Sequence, residues 1–156
     1  MINLIWAMTE DHLIGDGNKM PWHIKEDLIY YKEHTAGKVV LMGEATYYSL
    51  KGYYKNRQLP YGKIYVASLT KDLVLADANV INDVEVFLKN YKEELWVVGG
   101  ATIYALSLPY ADRLYISFIK GKYSGNKYFK EVDFSKFKLI WDNDTKEVHY
   151  TLYERA

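Results

Sequence analysis

The chain has 156 residues, 49% hydrophobic and 26% charged, a length that fits one domain able to bury a sizeable core without covalent staples. Lysine plus arginine equals aspartate plus glutamate at 20 each, and the lysines are scattered, so no field or basic face draws nucleic acid or an anionic membrane. The absence of cysteine removes disulfides, thiolate chemistry and sulfur-ligated zinc together.

The first strand is expected at "INLIWAM" (2–8), followed by a long loop over 9–22 rich in Gly, Asp and Asn. The start of the chain lacks the basic residues and long apolar core of a signal peptide, and no apolar run approaches about 18 residues, so a cytoplasmic protein is expected. "MPWHIKEDLIYYKEHT" reads as a helix from about His23, with a stripe of Ile24, Leu28, Tyr31 and Thr35. Asp27 falls about 60° from the centre of that stripe at ~100° per residue, whereas Glu26 and Glu33 lie on the opposite side, where charges are ordinarily solvated. After a break at Gly37, "KVVLMG" (38–43) is a short continuous apolar run of the buried parallel-strand type. "EATYYSL" (44–50) is a short helix, 51–63 a turn-rich connection, and "IYVAS" (64–68) another strand. A weaker strand near "NVI" precedes a helix starting at Asn82 or Asp83, where an N-cap residue is followed by an early acid. "LWVV" (95–98) is a buried strand ending in Gly99-Gly100, and "ATIYALSL" (101–108) a helix stopped by Pro109.

Beyond Pro109, "DRLYISFIK", "FKLIWDN" and "EVHYTLYER" follow without an intervening helix, which predicts antiparallel pairing. The expected fold is therefore α/β: a mixed, mostly parallel central sheet flanked by about four helices, closed by an antiparallel C-terminal hairpin, in a single domain over 1–156. The sixteen tyrosines read as amphipathic rings replacing Phe and Trp in half-buried positions.

In such a sheet, ligands gather at the carboxyl ends of parallel strands. Three segments point there. "VVLMGEAT" and "WVVGGATIY" are both strand, glycine, helix, a pattern that lets the backbone approach a phosphate closely; "VASLT" ends a strand with hydroxyl donors at Ser68 and Thr70. The G-x-G-x-x-G spacing of a standard dinucleotide fingerprint is absent. Asp27 is the acid that the pattern places beside an apolar stripe; periodicity alone leaves it equally a surface carboxylate. His12, His23, His34 and His149 form no metal spacing, so no metal is expected, and no G-x-S-x-G supports a serine nucleophile.

Taken in order, "LIWAM", "MPW" with an acid five residues after the Trp, "MG..T..SL", "VVGGATIY", "LPYADRLYIS" and the terminal "YTLYER" resemble the dihydrofolate reductase family over nearly the whole chain. The resemblance implies NADPH-dependent reduction of 7,8-dihydrofolate to tetrahydrofolate by hydride transfer to C6 and protonation at N5. It implies a monomer whose partners are this small substrate and antifolate inhibitors, neither nucleic acid nor membrane. It makes Asp27 the ionisable group of the pterin pocket, with Trp22 beside the proton route and Ser117, where the family usually has Thr, holding the carboxylate. A wall of Ile5, Leu28, Tyr31 and Leu50, with Ser49, Leu59 and Val98, would contact substrate and push the Asp27 pKa up by desolvation. Around the cofactor it places Ala7, Ile14 and Gly15 at the nicotinamide, Met20 on a mobile loop over 9–22, and Gly43 and Thr46 near the pyrophosphate. Ser68 belongs to the same site, and Gly99, Gly100, Ala101, Thr102, Ile103 and Tyr104 form the second phosphate junction, with a cis Gly-Gly bond.

Three positions depart from the family's pattern. Glu44 stands where an Arg commonly meets cofactor phosphate, which should repel a 2′-phosphate unless Lys63 or Lys71 compensates. "LPYGK" lacks the Gly-Arg whose guanidinium clamps the folate glutamate, so Arg57 or Lys63 is expected to serve as a weaker clamp. Asn126 replaces an Asp that contacts the mobile loop. A same-fold reductase of another pterin or pyrimidine, and a non-catalytic pterin- or nucleotide-binding paralogue, are the competing readings; the presence of Asp27 with "MPW" argues against both.

Overall fold

In the computed structural model, residues 1–17 and 19–156 are described; Asn18, within the 9–22 segment, lies outside them. Four apolar runs form the centre of an eight-stranded sheet: β1 (Ile2–Thr9), β3 (Val39–Gly43), β4 (Lys63–Ala67) and β6 (Leu95–Val97). With β5 (Asn79–Ile81), β7 (Arg113–Ile119), β9 (Phe137–Asp144) and β10 (Val148–Arg155), the order is β5-β4-β3-β6-β1-β7-β10-β9. β3 and β6 read as unbroken apolar runs because the sheet is covered on both faces.

Period-two alternation assigns each side chain to a face. Leu4, Trp6 and Met8 of β1, Leu41 of β3 and Leu95 and Val97 of β6 join one core with Phe87 and Leu88 of α3 (Val84–Asn90) and Ile103 and Tyr104 of α4 (Ala101–Ser107). Ile5, Val40, Met42, Trp96 and Val98 point to the other face, against Tyr30 and Tyr31 of α1 (Lys25–Thr35) and Tyr47 and Leu50 of α2 (Glu44–Tyr53). Leu4, Leu41, Met42, Val97, Leu114 and Ile116 lose all solvent exposure, each worth about 1.5–3 kcal/mol of burial. Tyr30, Tyr54, Tyr65, Tyr91, Tyr115 and Tyr153 are the expected partly buried rings packed on these cores, whereas Tyr47, Tyr61, Tyr104 and Tyr150 are buried and Tyr48, Tyr53, Tyr123 and Tyr128 exposed.

The C-terminal strands pair antiparallel as expected, β10 with both β7 and β9, while several local details differ. β7 pairs parallel to β1 in a register running from Asn3↔Arg113 to Thr9↔Ile119, and only its other edge is antiparallel, to β10. β10 inserts between β7 and β9; strand periodicity fixes which face a residue takes but not which strand lies alongside. The 9–22 segment is not wholly loop: β2 (Leu13–Gly15) pairs with β8 (Lys127–Tyr128) in a small ribbon. α1 begins at Lys25, after Ile24 as N-cap, and Pro109 sits inside a 3₁₀ turn over Leu108–Tyr110. Asp83 does cap α3, its Oδ1 accepting from the Val86 N–H at 3.1 Å. Among the described residues no helix is long and apolar enough to cross a membrane.

Candidate active site

Parallel β3, β6 and β1 end at one edge of the sheet. There the two glycine junctions are stitched together: the Gly43 N–H donates to the Gly99 carbonyl at 2.8 Å, and the Val98 N–H to Leu41 at 2.9 Å. The Gly99–Gly100 peptide is cis, and Gly99 adopts φ +121°. A Cβ on Gly43 would come within a tight 3.1 Å of Ile103 Cγ1, and one on Gly100 into ordinary contact with Thr46 Oγ1 at 3.4 Å, so the two junctions pack closely on α2 and α4. Gly43 and Gly100 precede α2 and α4 with no side-chain cap, leaving first-turn N–H groups turned to the cleft edge.

Beside this edge, the first turn of α1 carries Asp27. Its carboxyl is raised to about 6, first by burial, opposed by the hydrogen bond from Ser117 on β7 and raised further by the charge of Glu26. Ser117 is buried, opposite Ala7 of β1 on one side and Tyr150 of β10 on the other. Trp22 packs with Ile24, Ile119, Val148 and Tyr150, against Ala7 and Tyr30. Glu26 is not the solvated helix-surface charge that its position opposite the stripe suggested: Thr145 Oγ1 donates to it at 2.6 Å and the Tyr150 hydroxyl at 3.1 Å, tying α1 to the β9–β10 turn.

The cleft's far wall is the second core. Ile5, Tyr31, Leu50, Leu59 and Val98 come together there, and the Tyr31 and Tyr61 hydroxyls hydrogen-bond at 2.8 Å. Burial holds the Tyr31 hydroxyl well above its ordinary pKa and lifts that of Tyr61 to about 12. Leu28, one turn before Lys32, is 40% exposed, and Ser49 lies on the exposed side of α2.

The family model described as dihydrofolate reductase matches residues 1–155. The chain belongs to the dihydrofolate reductase family. It is 37% identical to the dihydrofolate reductase of Mycoplasma pneumoniae, covering 100% of this chain and 96% of the relative, and 37% identical to that of Bacillus subtilis, covering 90% and 82%. A solved Enterococcus faecalis dihydrofolate reductase, complexed with NADP(H) and RAB-propyl, superposes with a TM-score of 0.85 at 27% identity over 99% of this chain and 96% of that one.

Within that family, the three departures acquire geometry. Glu44, first residue of α2, accepts a hydrogen bond from Ser68 Oγ at the end of β4. Lys63 can serve neither role expected of it. Its Nζ lies 5.1 Å over the Tyr65 ring, on the α3 face of the sheet and away from Tyr31 and Leu59. It also sits at the amino end of β4, opposite Val39, whereas Gly43 is opposite Ala67. Lys32 was missed. Its Nζ lies 5.8 Å from the Tyr53 ring and 6.0 Å from that of Tyr54, whose carbonyl accepts from Arg57 Nε at 3.3 Å. The signal was present, since Lys32 follows Leu28 by four residues and shares its side of α1. Lys51 is held by Asp77 at 2.8 Å.

At the loop, Asn126 retains its contact in neutral form: the Gly17 N–H donates to Asn126 Oδ1 at 2.8 Å, while Asn126 N–H donates to Gly15 at 3.1 Å. An Asn126→Asp change, which makes that bond charge-assisted, is expected to slow cofactor release severalfold by stopped flow, and Asn126→Ala to speed it. Equal release rates in all three proteins would sink the assignment.

Proposed function

We propose that Asp27 is the proton-handling and pterin-anchoring residue of a reaction in which this chain reduces 7,8-dihydrofolate to 5,6,7,8-tetrahydrofolate. The observation that carries it is a half-buried carboxyl raised to about 6, held by Ser117 at the edge of the glycine junctions. Near neutral pH such a group exchanges a proton within the working range, as a general acid requires. It accepts from the amino and amide edge of the pterin and favours the proton at N5, with Trp22 bounding the path from solvent. The apolar wall of Ile5, Leu28, Tyr31, Leu50, Leu59 and Val98 flanks the ring, and Ser49 borders the outer part of the substrate.

The open backbone at Gly43, Gly99 and Gly100 fits a dinucleotide pyrophosphate, with Thr46 and Ala101, Thr102, Ile103 and Tyr104 completing the cradle. Bound NADPH supplies the hydride for C6. Ala7, Ile14 and Gly15 position its nicotinamide, Met20 covers it from the loop, and Ser68 contacts the adenosine end. Tyr104 helps hold the floor, its hydroxyl donating to the Ile5 carbonyl at 2.6 Å. Positioning supplies the remaining catalysis, since hydride transfer needs no further acid. The reading carries with it a cytoplasmic, monomeric enzyme open to antifolate inhibitors. Loss of absorbance at the reduced-nicotinamide band on adding dihydrofolate tests it; binding without turnover would identify a paralogue without catalysis.

For the folate tail, Lys32 beside the Tyr54 ring and Arg57 on the Tyr54 carbonyl replace a guanidinium clamp with two looser contacts. Lys32→Ala is expected to raise KM for dihydrofolate about 5- to 10-fold and leave that for a tail-less dihydropterin unchanged, with a further rise in the Lys32→Ala/Arg57→Ala pair. An unchanged KM in the double variant would show that neither cation meets the tail.

A further inference from the structure

The sheet order gives the direction of the cofactor along the cleft. Its reactive end belongs beside β1, and its pyrophosphate beside the β6 and β3 junctions that Gly43 and Gly99 stitch together. The next strand outward is β4, paired in parallel with β3, so a dinucleotide laid along this edge would bring its adenosine ribose toward the ends of these two strands. The groups waiting there are Glu44 and Ser68.

They form a finished arrangement. Ser68 is buried, its one hydroxyl hydrogen goes to Glu44 Oε1, and its oxygen accepts from the Thr70 N–H at 3.0 Å. Asn82 fixes the turn, donating to the carbonyls of Ser68 at 2.9 Å and Thr70 at 3.2 Å. Ser68 therefore has no hydrogen left for a phosphate. Glu44 presents carboxylate oxygen, which accepts from a ribose 2′-hydroxyl and repels a 2′-phosphate; an acid in this role is the ordinary mark of a site for the unphosphorylated dinucleotide. Lys63, at the other end of β4, is about 13 Å away by strand rise and cannot neutralise it. Lys71 lies exposed in the turn after Thr70.

Resting on the reading above, we propose that Glu44, held by Ser68, is a specificity residue that erases the usual preference for the 2′-phosphate, so that NADH serves this enzyme about as well as NADPH. Its effect is that of gaining or losing one hydrogen bond to a charged group, about 10- to 100-fold.

The test titrates NADPH and NADH by quenching of tryptophan fluorescence and measures kcat/KM for each with dihydrofolate, in the wild type, Glu44→Gln, Glu44→Arg and Lys71→Ala. Wild-type Kd values within about tenfold of each other are expected. Glu44→Gln, which can still accept from Ser68, should tighten NADPH about tenfold and weaken NADH slightly, and Glu44→Arg should carry the ratio toward NADPH about 100-fold. A wild-type preference for NADPH beyond about 100-fold, unmoved by Glu44→Gln or abolished by Lys71→Ala, would overturn the proposal. Binding of both cofactors without turnover would remove the assigned reaction, while the ratio of the two Kd values still decides the role of Glu44.

Discussion

Replacing Asp27 with asparagine is expected to lower kcat/KM for dihydrofolate by about 10²- to 10³-fold at pH 7 and to make the protein more stable at the same pH. The first effect follows from losing a positioned proton donor, which ordinarily contributes 10²- to 10⁴-fold. Asparagine fills the space and can still accept from Ser117, so the loss reports chemistry and not collapse of the pocket. In the wild type the rate should fall with one-proton slope as pH rises above about 6, where the carboxyl loses its proton; the variant should lack that limb.

The second effect has the opposite sign because the same environment that tunes the acid penalises its charge. The carboxyl is raised from its ordinary 3.8 to about 6 in the folded chain, chiefly by burial. Between those values the folded state binds the proton more tightly than the unfolded chain, so stability falls as pH rises through this window. The penalty is absent below 3.8 and complete above about 6. At 1.36 kcal/mol per unit it is on the order of 3 kcal/mol, less after solvent screening at a half-buried site. At roughly 2–4 °C per kcal/mol for a chain of this size, Asp27→Asn should melt about 4–8 °C higher at pH 8 and no higher at pH 3.5. A melting difference independent of pH would mean that desolvation is not what raises the carboxyl.

Much of this was legible in the residues. The continuous apolar runs of β3 and β6 pointed to a buried parallel sheet, and Gly43 and Gly99-Gly100 to a candidate ligand edge, because both are written in local pattern. Asp27 could be placed beside an apolar stripe, but helical phase alone left it equally a surface carboxylate, and only the order of the surrounding motifs singled it out. The partner of β7 could not be read, because alternation is silent on which strand lies alongside. Glu26 looked solvated because helical phase knows nothing of Thr145 and Tyr150, 119 and 124 residues away. Lys63 looked available because its position in "LPYGK" does not say which face of β4 it takes; the pleat, with Tyr65 two residues on, sends it away from the substrate.

Gly62 stands in the segment where the family's pattern has an arginine, and its substitution by alanine should be strongly destabilising. The chain crosses the turn after α1 here: the Gly37 N–H donates to Pro60 and the Gly62 N–H to Lys38, both at 2.9 Å. A Cβ on Gly62 would sit 2.4 Å from the Gly37 carbonyl oxygen and 3.1 Å from its carbon, which are backbone atoms and cannot rotate aside. Gly62→Ala must therefore spread the two segments, at an overpacking cost of about 2–3 kcal/mol and a melting temperature lower by about 4–12 °C. Because Tyr61 precedes it and meets Tyr31 by hydroxyl at 2.8 Å, the shift should also raise KM for dihydrofolate. Gly52→Ala, inside α2 with nothing within 4 Å of an added Cβ, is the matched control and should stabilise by about 0.5–1 kcal/mol. Wild-type melting of Gly62→Ala would refute the crossing as the cause. With a side chain at Gly62 driven into the Gly37 backbone, the proposed contacts to the folate tail rest on α1 and the turn after α2, where Lys32 lies near the Tyr54 ring and Arg57 bonds the Tyr54 carbonyl.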